Sequence, residues 1–245
     1  MSFNTKPSEV HSPIYLKIRS VVRKHFAFLI PTWTLFKRVY WFARHPTAKS
    51  RFEKIYRTNY WASDESYSGC GSNLEATKLL RDGLGEFISG KRVQSMLDIP
   101  CGDFNWMQHM KLDLAYIGAD IVDELVHKNQ KAHGGDKLSF KALDLTKSPL
   151  PKSDLVFSRD CLNHLSFSDI KKATRNIKES QSIYLAVTQF PEHSGNQNQE
   201  SGFIFRKINF RLPPFNWPEP VAEYPEILSG LKTLTVWKVS DLPRS

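Results

Sequence analysis

The sequence predicts an α/β domain, a doubly wound and mostly parallel sheet with an antiparallel edge hairpin, preceded by a helical, basic N-terminal extension. Three observations predict it. Short apolar runs alternate with helix-patterned segments between Ser95 and Gln189, the pattern of parallel strands joined by crossovers. Acidic residues close three successive strand-like runs, at Asp98, Asp120 and Asp144, and open α/β sheets gather their ligands at strand carboxyl ends. Near the C-terminus two further runs are separated only by the turn SGLK, too short for a parallel crossover.

Charge sets the domain organisation. Residues 1–58 hold 12 Lys/Arg against Glu9 and Glu53, a charge of +10 in a chain of +9, so the remainder is close to neutral. The extension, residues 1–51, opens with a polar stretch that reads as disordered and continues over residues 14–43 with Lys/Arg among Phe, Trp, Leu and Tyr, broken at Pro31. That pattern reads as amphipathic helices lying on an anionic membrane surface. It also reads as aromatic packing on the domain or a partner subunit, or as a grip on nucleic acid. The apolar run over residues 26–36 is too short to span a bilayer, which needs roughly 20 residues. Charges recur through it and no small-residue cleavage site follows, against a signal peptide. A cytoplasmic location is expected, with the extension peripheral on the inner membrane face. Cys70, Cys101 and Cys161 form no C-x-x-C pair and no disulfide framework, and fit a reducing compartment. No metal site is expected, because His193 has no pair of carboxylates at ligand spacing.

The elements of the second part, residues 52–245, follow in order. A polar and aromatic stretch leads to SGCGS (68–72). Ser72 or Asn73 is placed to cap a helix over residues 74–88, where Leu74, Thr77, Leu80, Leu84 and Phe87–Ile88 recur at helical spacing before Gly90 closes it. Strands are expected over Ser95–Ile99, Ala115–Ile121, Ser139–Leu145, Asp154–Ser158 and Ser182–Gln189. Helices are expected over Asp123–His133 and Asp169–Ser180. Val221–Ile227 and Thr233–Val239 form the edge hairpin.

The strongest motif is MLDIPCGDFNW (96–106), a buried strand running into a tight turn that opens a helix. Gly102 lets the backbone approach a ligand. YIGADI (116–121) ends in Asp120, placed to accept both ribose hydroxyls of a nucleotide. ALDL (142–145) puts Asp144 at a third strand end, where it could meet an adenine amino group. The G-x-G-x-x-G fingerprint is absent, with Pro100 and Phe104 where glycines are commoner. That counts against a dinucleotide, whose pyrophosphate needs such a cradle.

Acceptor chemistry is expected just after the fourth strand, in SRDCLNH (158–164). A helix starting near Asp160 puts Asp160 and His164 four residues apart on one face. His164 could take an acceptor's proton with Asp160 orienting it, or Asp160 could itself be the base. Arg159 could bind a carboxylate or phosphate, or equally be a surface ion-pair partner. Cys161 reads as a buried thiol, Trp106 as core or pocket wall, and Asn105 as pocket wall. The stretch PEHSGNQNQESGFIFRKINFRLPPFNW (191–217) is rich in amides and aromatic rings. These suit a sugar or another polyhydroxylated acceptor, and equally a solvated loop.

With SGCGSNLEAT (68–77), LDIPCGDFNWM (97–107), YIGADIV (116–122), DLVFSRDCLNHLSF (154–167) and PPFNWPEP (213–220), the chain resembles the class I S-adenosylmethionine-dependent methyltransferases. Within them it resembles a bacterial group sharing these motifs. The resemblance covers about residues 52–243 and not the extension. It implies the Rossmann-like class I methyltransferase fold, with S-adenosylmethionine as cofactor. Asp98, Pro100 and Gly102 would form the methionine-binding turn, Asp120 with Ile121 would hold the ribose, and Asp144 with Leu145 the adenine. Trp61, Ser68, Gly69, Gly71 and Ser72, within a closing segment at 52–90, would cover the methionine end, with Arg159 beside the cofactor. The function expected is O-methylation of a saccharide or lipid-linked glycan hydroxyl. The alternatives are methylation of RNA or a small molecule, and a non-catalytic S-adenosylmethionine-binding scaffold. Against RNA stand the near-neutral domain and the lack of an N/D-P-P-Y-type motif after the fourth strand.

Overall fold

The computed structural model describes residues 39–202 and 204–243, and the chain divides into two units, residues 1–51 and 52–245. The helices expected over residues 14–43, with their break at Pro31, lie outside the described residues except for 39–43, which are helical. In the first unit the Arg51 guanidinium donates to the carbonyls of His45 (2.8 Å) and Pro46 (2.6 Å). Thr47 caps helix α1 (Ala48–Arg57), its Oγ1 accepting from the Ser50 amide at 3.1 Å. No described helix is long and apolar enough to cross a membrane.

The second unit carries one seven-stranded sheet: β1 (Ser95–Asp98), β2 (Ala115–Asp120), β3 (Leu138–Ala142), β4 (Leu155–Ser158), β5 (Tyr184–Gln189), β6 (Ala222–Pro225) and β7 (Thr233–Lys238), in the order β3-β2-β1-β4-β5-β7-β6. The first five strands run parallel, and β7 is antiparallel to both its neighbours. The order reverses at β1, which pairs with β2 on one side and β4 on the other, so the crevice beyond β1 and β4 is the switch point. Successive side chains point to opposite faces. Leu97, Val156, Leu185 and Val187 pack on one side with Ile170, Ala173 and Ile177 of helix α4 (Phe167–Glu179). Met96, Leu155, Phe157 and Ala186 pack on the other with Leu80, Leu84 and Phe87 of helix α2 (Lys78–Lys91). Helix α3 (Asp123–His133) occupies the expected span.

Three local expectations are corrected. Helix α2 starts at Lys78, not near Leu74, because the Leu74 amide is taken by Glu65 Oε1 (2.7 Å) and the Asn73 side chain by Ser63 (3.0 Å). It runs past Gly90 to Lys91. Arg92 turns left-handed at φ +53°, the Val93 amide reaches back to the Ile88 carbonyl at 3.0 Å, and Val93 is buried, a Schellman end. No α-helix opens after β1. Phe104 stands at φ +58°, which a right-handed helix cannot contain, and only a single 3-10 turn at Met107–His109 follows. The third strand stops at Ala142, leaving Asp144 in the turn beyond it.

Candidate active site

The floor of the crevice is the end of β1. Asp98 is buried, with the Tyr116 hydroxyl donating to its Oδ2 at 2.5 Å and no partner at Oδ1. Burial pushes its carboxyl up to about 8, against the pull of the Tyr116 hydroxyl. Asp120, at the end of β2, accepts from the amides of Val122 (3.0 Å) and Gly102 (3.2 Å). Burial raises it to about 6. Asp120 thereby fixes the turn that the motif at residues 96–106 predicts. Asn129 of α3 fixes the same turn by donating to the Gly102 carbonyl at 2.8 Å. Gly102 has φ +56°, and a Cβ there would lie 2.3 Å from Ser68 Oγ. Pro100 lies in the turn and Ile121 just beyond Asp120, packed towards Tyr56, Val122 and Leu125.

Residues 63–74 form a wall anchored on this turn. Asp103, which sequence reasoning did not single out, accepts from the Tyr67 amide (2.6 Å), Ser66 Oγ (3.0 Å) and Ser68 Oγ (3.2 Å). Asn105 donates to Glu65 Oε1 (2.8 Å) and the Ser72 carbonyl (3.1 Å), so it braces the wall. Gly69, at φ +92°, lies under Trp61, whose Cβ would be 3.1 Å from an added methyl. Of the predicted wall residues, Ser68 lies against Gly102, Trp61 lies over Gly69, the Ser72 carbonyl is held by Asn105 and the Gly71 carbonyl by Arg159. Asp144 forms the turn beyond β3. Its Oδ1 accepts from the amide (2.8 Å) and hydroxyl (2.7 Å) of Thr146, while the Leu145 side chain is buried in the core.

At the end of β4 the expected helical pair does not form. Asp160 is left-handed at φ +50°, a 3-10 turn covers Leu162–His164, and α4 begins only at Phe167. Asp160 ion-pairs with Lys232 (2.8 Å) and Arg159 (3.5 Å), which hold it ionised below the usual carboxylate range despite burial. His164 instead meets the rings of Trp61 (centroids 5.7 Å), Phe205 (5.4 Å) and Phe52 (6.3 Å). Burial lowers it to about 4. A neutral imidazole has one ring nitrogen able to accept a proton. The carboxylate expected for Arg159 comes from within the chain. Glu226 Oε2 accepts from its Nε at 2.8 Å, and its Nη2 donates to the Gly71 carbonyl at 3.0 Å. Burial pushes the Cys161 thiol up to about 12, unsuited to a thiolate. Trp106 is core, packed edge-on against Phe157.

Within residues 191–217, Asn196 donates to the carbonyls of Asn209 (2.8 Å) and Pro213 (2.9 Å), Asn209 to that of Pro191 (2.7 Å) and Gln199 to that of Ile204; outside it, Gln199 reaches the Asn163 carbonyl (3.3 Å) and Asn198 accepts from the Phe167 amide (2.8 Å). Trp61 and Phe205 keep more than a third of their surface exposed on either side of His164. Among the described residues no group of three His, Cys, Asp or Glu side chains could hold a metal ion.

Residues 97–180, from β1 to the end of α4, match the family model of a methyltransferase domain. The 1,6-didemethyltoxoflavin-N1-methyltransferase of Burkholderia thailandensis superposes with a TM-score of 0.55 at 14% identity, over 78% of this chain and 86% of that one. The fold is that of the class I methyltransferases. The N-methyltransferase NodS of Bradyrhizobium japonicum is 15% identical over 56% of this chain and 73% of that one, with a TM-score of 0.46. A putative sarcosine dimethylglycine methyltransferase from Galdieria sulphuraria is 17% identical over 46% of this chain, with a TM-score of 0.41. This chain spans about half the length of that protein, 46%. At these identities the likeness is one of fold. No protein of curated function matches the chain.

Proposed function

We propose that this protein is an S-adenosylmethionine-dependent methyltransferase acting on a hydroxyl of a polyhydroxylated acceptor, such as a saccharide or lipid-linked glycan. The observation that carries the cofactor is the buried Asp98 Oδ1. It has no partner, at the switch point of a sheet whose residues 97–180 match a methyltransferase domain. A buried acceptor left unpaired costs about 1–3 kcal/mol, and an ammonium group, as on the cofactor's methionine, removes that cost. Asp98 and the Gly102 turn would hold the methionine end, and Asp120 would offer its remaining lone pairs to the ribose. The residues 63–74 would close the site, and Asp144 would stand at the adenine. The cofactor supplies an electrophilic methyl group on a sulfonium sulfur.

His164 is the group placed to take the acceptor's proton, neutral and set between the partly exposed rings of Trp61 and Phe205. Asp160 Oδ2 is engaged by Lys232 and Arg159, while its Oδ1 is buried without a partner, so Asp160 stays the alternative base. The faces of Trp61 and Phe205 support stacking against a sugar ring. A small planar acceptor is the second reading, favoured because Asn196 and Asn209, two of the amides of residues 191–217, are spent on their own loop's backbone. The +10 charge of residues 1–58 supports presentation of the acceptor at an anionic membrane surface. Calorimetric titration of the full chain with S-adenosylhomocysteine, with Asp120→Ala as control, tests the cofactor assignment. Binding lost in the variant supports it, and no binding by folded wild-type protein sinks it. Transfer of labelled methyl to a panel of glycans and planar phenols then separates the two acceptor readings.

A further inference from the structure

Four charged groups, two of them buried and two half-buried, meet where β4, β5 and the β6–β7 connection converge. Arg159 Nε donates to Glu226 Oε2 at 2.8 Å, and Lys232 Nζ lies 3.1 Å from the same oxygen and 2.8 Å from Asp160 Oδ2. Thr188 Oγ1 donates to Glu226 Oε1 and accepts from the Asp160 amide, both at 3.0 Å. Two cations balance two carboxylates, and the Glu226 and Arg159 side chains are 1% and 7% exposed. Well-packed apolar residues often serve stability as well as a buried ion-pair network does, which directs attention to the geometry this one fixes.

That geometry is delivered to one place outside the network. Arg159 Nη2 donates to the Gly71 carbonyl at 3.0 Å. The wall at residues 63–74 is also anchored from the β1 turn, by Asp103 and Asn105, and at its two ends by Asn59 on the Ser63 carbonyl (3.1 Å) and Arg81 of α2 on the Leu74 carbonyl (2.9 Å). Arg159 is its anchor from β4, on the far side of the switch point. A guanidinium is a planar fork, so fixing Nε on Glu226 aims Nη2. Without the Glu226 charge, Arg159 keeps only Asp160 at 3.5 Å, a carboxylate already engaged by Lys232.

We propose that Glu226 and Lys232, at the two ends of the β6–β7 connection, are positioning residues for the cofactor wall, holding the Cys70–Ser72 turn in place through Arg159. The word cofactor here rests on the function proposed above; the latch itself does not. The test is amide hydrogen exchange of the full chain without any ligand, comparing wild type with Glu226→Gln, Glu226→Asp and Thr188→Val. In Glu226→Gln, exchange at Ser72, Asn73 and Leu74 should quicken by about tenfold or more as local opening becomes easier. The amides of Ile99 and Cys101, bonded within the sheet to Phe157 and Ala119, should keep wild-type rates. Glu226→Asp should restore part of the protection. Thr188→Val should give a smaller change of the same sign, and it carries the test if the charge variants fail to fold. Wild-type rates at Ser72–Leu74 in the variants, or an equal acceleration at Ile99 and Cys101, overturns the proposal. S-adenosylhomocysteine affinity, measured separately, should fall in Glu226→Gln. If the wild type does not bind that ligand, the cofactor reading fails while the exchange result still decides the latch.

Discussion

The contact between Gly102 and Ser68 gives a double-mutant cycle whose size follows from the geometry. A Cβ on residue 102 would lie 2.3 Å from Ser68 Oγ and 3.3 Å from Ser68 Cβ, so the hydroxyl must leave while the rest of the serine can nearly stay. Departure breaks two hydrogen bonds, Ser68 Oγ to Asp103 Oδ1 at 3.2 Å and the Asp103 amide to Ser68 Oγ at 3.3 Å. At about 1 kcal/mol each, that loss is about 2 kcal/mol. The alanine also inherits φ +56°, and a left-handed backbone costs a non-glycine residue about 1 kcal/mol or more. Gly102→Ala should therefore destabilise by about 3 kcal/mol, and Ser68→Ala, which loses the same two bonds, by about 2 kcal/mol. The bonds can be lost only once, so the double variant should cost about 3 kcal/mol rather than the additive 5, a coupling of about 2 kcal/mol. Urea unfolding of the four proteins measures it. Additive costs would refute the claim that Gly102 is glycine because Ser68 occupies the space of its missing side chain.

Three further outcomes are expected. Asp98 is raised from 3.8 to about 8, so the folded state holds a proton that the unfolded chain releases, and stability from this group is lost as pH rises from about 4 to about 8. The melting-temperature advantage of Asp98→Asn over wild type should accordingly widen between about pH 5 and about pH 8, and a constant gap would contradict the raised value. His164→Gln should lower kcat by about a hundredfold with S-adenosylhomocysteine affinity kept. Because His164 is lowered to about 4, wild-type kcat should show no titration near pH 6.5; a fall there, absent in the variant, would restore an ordinary histidine. Asp160→Asn should lower kcat by less than about tenfold while lowering the melting temperature, since its carboxylate neutralises Lys232 and Arg159. A loss as large as that of His164→Gln would make Asp160 the base.

The parts legible in the sequence were those whose signal is local. Strand-length apolar runs ending in Asp98 and Asp120 sit where a two-residue period and a strand-end acid put them. Helix α3 coincides with its expected span because its apolar spacing and flanks agree. The failures lie where distant side chains take over backbone groups. Nothing near residue 74 says that Glu65 will claim the Leu74 amide. Nothing near Asp160 says that Lys232, 72 positions on, will pair with it. A D-C-L-N-H run reads as a helix start only while its acid is free to cap. Glu226, Lys232 and Asp103 were invisible for the same reason: an acid in a turn and a lysine after one carry no local mark of burial. The amides of residues 191–217 looked outward by composition, but folding turned Asn196, Gln199 and Asn209 onto their own loop's carbonyls.

The electrostatics of the crevice bear on which cofactor it holds. Asp98 and Asp120 are both buried, each raises the other's difficulty in ionising or sits beside a further acid, and among the described residues neither has a cationic hydrogen-bond partner. Arg159, the cation near enough to lower Asp98, has its fork turned to Glu226 and Gly71. Such a site repels a pyrophosphate, which needs amide donors and positive ends of helices, and after β1 this chain offers only a 3-10 turn. It attracts a ligand bearing positive charge, because a cation entering low dielectric beside a carboxylate that is nearly neutral at pH 7 pulls that carboxylate's proton off. Binding of S-adenosylhomocysteine, with its ammonium group, should then release a proton near pH 7. Calorimetry in buffers of different ionisation enthalpy would read that release, and it should vanish in Asp98→Asn. Binding without proton release would leave the raised carboxyl of Asp98 outside the cofactor's reach, and would move the methionine end of the site away from β1.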